Sequence, residues 1–245
     1  MVFMTERKTA LVTGANKGIG REIAHRLLEL DYTVWIGCRD RERGAAAVVA
    51  LAGLNRDARL LQLDVTDEAG VIMAARRLGA ETDRLDVLVN NAGIATGFRT
   101  PPSQEPVAQM QTVYEVNLFG PVRVTQALLP LLKASSAPRI VMMSSGLGSL
   151  AGAVDPASEF HAINLLGYNS SKTALNAVTV AFAKELAPLG FKVNAADPGY
   201  TATDLNDNTG YRSVQQAAEV AVRLATLGAD GPTAGFFNDQ GPVAW

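Results

Sequence analysis

Cysteine is almost absent: Cys38 is the one thiol in 245 residues. No intrachain disulfide and no cysteine-based zinc cluster can form, which fits a reducing compartment and makes a cytoplasmic location the expectation. Net charge is equally scarce, with 22 Lys+Arg against 24 Asp+Glu. A balance of −2 supplies no diffuse basic field for a phosphate backbone, which argues against nucleic acid as a partner, so any basic site must be local. The longest apolar stretches, such as Ala45 to Leu54, stop well short of the ~20 residues a membrane span needs. The opening MVFMTERKTALVTG lacks the basic-then-apolar-then-small layout of a secretory signal, so a soluble protein is expected, with Met4 a second candidate start. His25 and His161 fit no serine–histidine–acid arrangement and no metal-ligand spacing, so neither a hydrolase nor a metal site is expected. Cys38 reads as a small residue ending a buried strand.

Hydrophobic residues make up 48% of the chain and charged residues 19%, enough to bury a sizeable core. Short apolar runs alternate with segments of helical period. Ala10 to Thr13, Thr33 to Gly37, Leu60 to Leu63, Val87 to Val89, Ile140 to Ser144, Lys192 to Ala195 and Gly235 to Phe237 read as strands. Ile23, Leu27, Leu28 and Leu30 follow Gly20 with helical spacing, and Val71, Ile72 and Leu78 follow Asp67, the expected cap of its helix. This rhythm predicts an α/β protein: a doubly wound Rossmann-type fold with a seven-stranded, mostly parallel sheet and helices on both faces. No repeat, low-complexity tract or linker divides the chain, and the breaker cluster Thr100 to Pro106 is short. One domain spanning residues 1–245 is therefore expected, since α/β folds reach about 250 residues as single units. Ligands of such sheets bind outside the carboxyl ends of the strands.

After the first strand come Thr13-Gly14-Ala15-Asn16-Lys17-Gly18-Ile19-Gly20, opening the first helix, where a pyrophosphate would meet backbone N–H groups and the positive helix end. The spacing is G-x-x-x-G-x-G rather than G-x-G-x-x-G, and alone it is equally a ligand-free turn. Further elements follow in order at strand ends: Asn90-Asn91-Ala92-Gly93, Asn117 in Asn-Leu-Phe-Gly, Ser145, Tyr168-x-x-x-Lys172, and Pro198-Gly199. Together they resemble the short-chain dehydrogenase/reductase family over nearly the whole chain, and the Asn-Lys-Gly-Ile-Gly wording is similar to the monomeric, NADPH-dependent carbonyl reductases.

Tyr168 and Lys172 stand four apart in a segment where Leu175, Val178 and Phe182 keep helical period, so both project from one face. A nearby ammonium favours phenolate and is expected to draw the phenol below its usual pKa of about 10. The resemblance implies that Tyr168 exchanges a proton with the substrate oxygen, that Ser145 donates to that oxygen, that Lys172 also bonds the nicotinamide ribose, and that Asn117 holds a water linking Lys172 to solvent. An ordinary Asn satisfying backbone at a helix kink is the alternative for Asn117. Ser144 and Ser145 point to opposite faces, and Ser145 is the choice over Ser144 and the nearby Ser149.

Arg39 and Arg43 follow the second strand, where forked guanidinium bonds suit a 2′-phosphate, so NADP(H) is the expected cofactor. Asp40 lies about 20 residues beyond Gly20, where an NAD ribose would be read, but is more simply a helix cap. The resemblance places Asn16, Lys17, Arg39 and Arg43 around the 2′-phosphate, Asp64 and the Val65 backbone at the adenine, and Asn91, Ala92 and Gly93 against its ribose. It places Thr201, with Pro198 and Gly199, near the carboxamide. Asp64 equally suits a cap before Thr66. Gly146 to Gly167 is expected to wall the substrate pocket and Thr203 to Arg212 to form a lid, with the tail Gly241 to Trp245 near the active site or a subunit edge. Ser145 and Tyr168 are 23 apart, much less than the insertion of the monomeric carbonyl reductases implies, which leaves both a monomer and a homo-oligomer open. The expected activity is NADPH-dependent reduction of a ketone, aldehyde or quinone, or the reverse alcohol oxidation. The alternatives are an NAD-linked dehydrogenase, a non-catalytic NADPH-sensing protein, and a sugar-nucleotide epimerase or dehydratase, which Gly14, Gly18 and Gly20 count against.

Overall fold

Alternation along a strand sends Ala10 and Val12 to one face of a sheet and Leu11 to the other, and both faces are buried. The computed structural model describes residues 7–51, 57–98 and 100–245; Met4 and the end of the Ala45–Leu54 run lie outside them. Seven strands form one sheet: β1 (Thr9–Thr13), β2 (Thr33–Cys38), β3 (Ala58–Gln62), β4 (Val87–Asn90), β5 (Arg139–Met143), β6 (Lys192–Ala196) and β7 (Phe236–Phe237). Their order is β3-β2-β1-β4-β5-β6-β7, and every neighbouring pair is parallel, where the sequence suggested mostly parallel.

Eight α-helices fill the crossovers among the described residues: α1 (Gly18–Glu29), α2 (Arg41–Leu51), α3 (Glu68–Glu81), α4 (Val107–Tyr114), α5 (Gly120–Lys133), α6 (Leu150–Val154), α7 (Leu166–Leu186) and α8 (Val214–Ala225). On one face Val12, Ile36, Val89 and Val141 pack with Ile23 and Leu27 of α1 and Ala221 and Leu224 of α8. On the other, Leu11, Leu88, Ile140 and Val193 pack with Leu78 of α3, Leu128 of α5 and Leu175 and Leu186 of α7. Each fully buried Leu, Ile or Val contributes about 1.5–3 kcal/mol, so the α7 stripe is what presses the helix bearing Tyr168 onto the sheet.

Strand order reverses between β1 and β4, so the carboxyl ends of those strands, Thr13 and Asn90, open the crevice where ligands of such sheets bind. Two sequence expectations need correction. β3 begins at Ala58 rather than Leu60, because its Arg59 and Gln62 hide an edge strand; Arg59 lies over the Trp35 ring at 5.6 Å. Asp67 occupies the N-cap position of α3 with extended backbone, but its carboxylate accepts no capping hydrogen bond; its main-chain carbonyl receives Val71 N–H at 2.8 Å instead.

Candidate active site

At the crevice, Asn91 fastens the glycine turn. Its side-chain amide donates to the carbonyls of Thr13 at 2.9 Å and Gly14 at 3.3 Å, while Thr13 Oγ1 receives the N–H groups of Asn91 and Ala92 at 2.9 and 3.0 Å. Gly14 has φ +64 and Gly18 φ +55, in the left-handed region that favours glycine. A Cβ on Gly20 would meet the Asn91 amide and lie 2.7 Å from the Gly14 carbonyl oxygen. The side chain of Asn91 is thus engaged with the turn, so any part it plays toward a bound ribose falls to its main chain and to Ala92 and Gly93. Helix α1 starts at Gly18 with no side-chain cap from Lys17 and no acid in its first turn, which leaves its positive end to an anion from outside.

Lys17 Nζ pairs with Asp204 Oδ2 at 2.6 Å, joining the glycine turn to the segment after β6. Arg39 is exposed, and Arg43 is paired with Asp40 at 3.6 Å. Asp40 Oδ1 also receives the Arg43 N–H at 3.0 Å, the helix-capping role suggested by the sequence. Asp64 receives both the N–H and the hydroxyl of Thr66 on Oδ1, at 2.9 and 2.7 Å. Burial works against ionisation of Asp64, but the Thr66 bonds and the Arg39 charge outweigh it and hold the carboxyl below the usual range. A glycine cradle, a helix start without a side-chain cap, and the nearby cations Lys17, Arg39 and Arg43, two of them paired with Asp204 and Asp40, together fit a dinucleotide carrying an extra phosphate.

β5 and α7 bring Ser145, Tyr168 and Lys172 together. The Ser145 side chain lies close enough to the Tyr168 phenol to favour its ionised form, and Ser145 Oγ also accepts the Leu147 N–H at 3.2 Å. Ser144 faces away, its Oγ donating to the buried Asn176 Oδ1 at 2.6 Å, and Ser149 is tied to the Ala244 carbonyl at 2.7 Å. Of the three serines, Ser145 is therefore the one beside the phenol. Lys172, 5% exposed, donates to the Met143 carbonyl at 2.7 Å, with Nζ 5.6 Å from the Tyr168 ring centroid. Burial pushes the Lys172 ammonium down to about 8 and the Tyr168 phenol up to about 12, the Ser145 side chain lowering the phenol and Asp197 raising it further. The sequence-based expectation of a lowered phenol thus reverses, because desolvation, with the Asp197 charge behind it, outweighs the lowering effect of Ser145. At neutral pH this phenol holds its proton.

Asn117, 1% exposed, lies in a π-helical turn, Glu115–Phe119, between α4 and α5. Its amide bonds both main-chain groups of Ile94 at 2.9 Å and Ser171 Oγ at 3.1 Å, the backbone-satisfying alternative. A Cβ on Gly93 would touch both Asn117 Oδ1 and Lys172 Nζ, so the two groups flank the same point. Glu105, which the sequence reading passed over, accepts the Gly167 N–H at 3.2 Å and places a carboxylate at the positive end of α7, one residue from Tyr168.

The expected wall and lid adjoin this group. Phe160 packs on Gly146, directly after Ser145. The segment after β6 is held at one end by Lys17–Asp204 and at the other by the Tyr211 hydroxyl on Glu159 at 3.0 Å and Arg212 on Asp239 at 2.8 Å. Gly199 has φ +70, and Thr201 Oγ1 donates back to the Gly199 carbonyl at 3.1 Å. In the tail, Trp245 stacks on Phe236 at 5.5 Å and its carbonyl receives the Ala151 N–H at 3.0 Å. Leu150, Val154, Ile163 and Tyr211 are exposed apolar side chains of the wall and lid segments. Among the described residues no helix is long and apolar enough to cross a membrane, and no group of His, Cys, Asp and Glu could hold a metal ion.

Residues 8–213 match the family model for short chain dehydrogenase. The chain is 33% identical to (-)-isopiperitenone reductase of Mentha piperita, covering 94% of this chain and 96% of that protein. It is 33% identical to salutaridine reductase of Papaver bracteatum, covering 96% and 95%. The first alignment runs to 303 positions against 245 residues, so that relative carries insertions this chain lacks. The structure superposes on an NADPH-bound carbonyl reductase from chicken fatty liver with TM-score 0.85 and 29% identity, over 98% of this chain and 100% of that one. With the glycine turn, the Ser145–Tyr168–Lys172 group and the parallel sheet in place, these matches establish that the chain belongs to the short-chain dehydrogenase/reductase family of oxidoreductases, which act between carbonyl and alcohol groups.

Proposed function

We propose that this enzyme is an NADPH-dependent carbonyl reductase in which Tyr168 gives the proton to the substrate oxygen. The observation that carries the reading is the grouping of the Ser145 side chain and the buried Lys172, whose Nζ lies 5.6 Å from the ring centroid, around the buried Tyr168 phenol. When bound, NADPH supplies the hydride. Ser145 donates to the carbonyl oxygen and steadies the charge that grows there. Tyr168, protonated at neutral pH, donates the proton as that oxygen becomes alkoxide, and the Lys172 ammonium steadies the phenolate left behind. Asn117 positions the Gly93–Ile94 backbone next to Lys172 and lies on the route by which a proton returns from solvent.

For the cofactor, the main chain of Gly14, Gly18, Ile19 and Gly20 takes the pyrophosphate, and Asn16, Lys17, Arg39 and Arg43 take the 2′-phosphate. Asp64 Oδ2, Val65 and the Asn91–Gly93 backbone take the adenosine, Lys172 the nicotinamide ribose, and Pro198, Gly199 and Thr201 the carboxamide. The exposed apolar side chains of the wall suit a medium-sized apolar ketone, aldehyde or quinone, and the printed names of the two plant relatives point the same way. The test is NADPH consumption, followed by absorbance, across a panel of such carbonyls with an NADH control. Turnover requiring NADPH supports the reading; equal turnover with NADH refutes the cofactor assignment, and none on any carbonyl refutes the reductase.

A further inference from the structure

Asp197 is a buried carboxyl side chain directly after β6, and no step assigned above uses it. It is 5% exposed. Its Oδ1 accepts the Gly199 N–H at 2.9 Å, and the Gly146 N–H lies near enough to the carboxyl to favour its ionised form. These donors come from different turns. Gly146 directly follows Ser145 beyond β5, and Gly199 belongs to the turn beyond β6.

The ladder between β5 and β6 persists as far as Ser144, whose N–H donates to the Ala196 carbonyl at 2.8 Å. One residue on, the main chain of Asp197 turns to β7, its N–H donating to the Phe237 carbonyl at 2.8 Å. At the level of Ser145 the two turns are therefore joined through the Asp197 side chain. The Phe160 ring also packs against Gly146. The turn that carries the Ser145 hydroxyl thus meets both an aromatic ring and a buried carboxyl group. A carboxylate with two oxygens can take both N–H groups as charge-assisted bonds, whereas an amide offers one oxygen and turns an N–H toward the other donor. Burial and the Glu159 charge work against the ionised form of Asp197, and the two N–H groups and Arg212 work for it.

We propose that Asp197 is a positioning residue that acts through Ser145: it clamps the Ser145–Gly146 turn to the Gly199 turn and so keeps the Ser145 hydroxyl in register with Tyr168. The inference rests on the proposed function, in which Ser145 supports the substrate oxygen. A displacement of about 1 Å at such a group costs up to about 100-fold, so Asp197→Asn is expected to lower kcat by about 10–100-fold while substrate KM and NADPH Kd stay within about threefold.

The experiment is a double-mutant cycle on the intact protein with the best carbonyl of the panel. If Asp197 works through Ser145, Asp197→Asn costs less than about threefold in kcat once Ser145→Ala is present. Multiplicative losses over an impaired Ser145→Ala overturn the inference alone. A Ser145→Ala enzyme with undiminished kcat overturns the reading of the site, and the inference with it. Asp197→Ser, whose hydroxyl still accepts one N–H, is the second neutral variant. If neither variant keeps wild-type NADPH affinity, Asp197 holds the cofactor pocket or the fold rather than Ser145, and the inference falls.

Discussion

Carbonyl reduction by this enzyme is expected to slow as the pH rises through about 8, because Lys172, brought to that value by burial, then loses its proton. Its ammonium lies 5.6 Å from the Tyr168 ring centroid. At that separation and an effective dielectric constant of about 20, the charge steadies a full phenolate by about 3 kcal/mol. Proton transfer about half complete in the transition state feels about half of this, roughly a tenfold effect on kcat/KM. The wild-type profile therefore falls about tenfold across the Lys172 titration to a lower plateau, which a neutral side chain reproduces at every pH. Tyr168, raised to about 12, keeps its proton throughout and adds no limb of its own. The assay is kcat/KM for the best carbonyl from about pH 6 to about pH 10, for wild type and Lys172→Met. Lys172→Met is expected to be flat and to lie on the wild-type alkaline plateau. A flat wild-type profile, or a limb near pH 8 that survives Lys172→Met, refutes the reasoning.

Three further outcomes follow from the packing. Gly20→Ala drives a methyl into the Asn91 amide and against the Gly14 carbonyl, so it is expected to cost about 1–3 kcal/mol and to weaken NADPH binding at least tenfold; wild-type melting and affinity count against the close-packed turn. Ser144→Ala leaves buried Asn176 short of a donor, which costs about 1–3 kcal/mol, seen as a fall of several degrees in Tm, with kcat within about threefold; a 100-fold loss of kcat reassigns the serine. With Arg39 proposed to hold the 2′-phosphate, Arg39→Asp is expected to reduce the NADPH-to-NADH efficiency ratio by about 10–100-fold; an unchanged ratio removes Arg39 from the phosphate site.

The sheet was legible because parallel strands buried on both faces read as apolar runs, and the helices between them keep their period. Arg59 and Gln62 blurred β3, since an edge strand needs no apolar residue on its outer side. Motif order brought Ser145, Tyr168 and Lys172 into one group, and strand alternation separated Ser145 from Ser144; the structure supplies the reason, an Asn176 far along α7 that claims the other hydroxyl. What stayed hidden depends on long-range contact. Nothing near Asn91 in sequence announces that its amide grips the Thr13 and Gly14 carbonyls, and nothing near Lys17 announces Asp204. The raised phenol was missed because spacing reveals the nearby ammonium but not how completely the ring is desolvated. Asp197 did leave a signal, a carboxyl group placed directly after the buried strand β6 and before Pro198.

The central claim, proton donation by Tyr168 during NADPH-driven carbonyl reduction, is tested most directly with NADPH deuterated at the transferred position of nicotinamide C4. Wild type and Tyr168→Phe are each given the best carbonyl of the panel, and the alcohol is analysed by mass. The account predicts deuterium on the carbinol carbon with wild type and formation at least about 100-fold slower with Tyr168→Phe, at NADPH Kd within about threefold of wild type. Alcohol formed by Tyr168→Phe at the wild-type rate, or free of deuterium in the wild-type reaction, would contradict it.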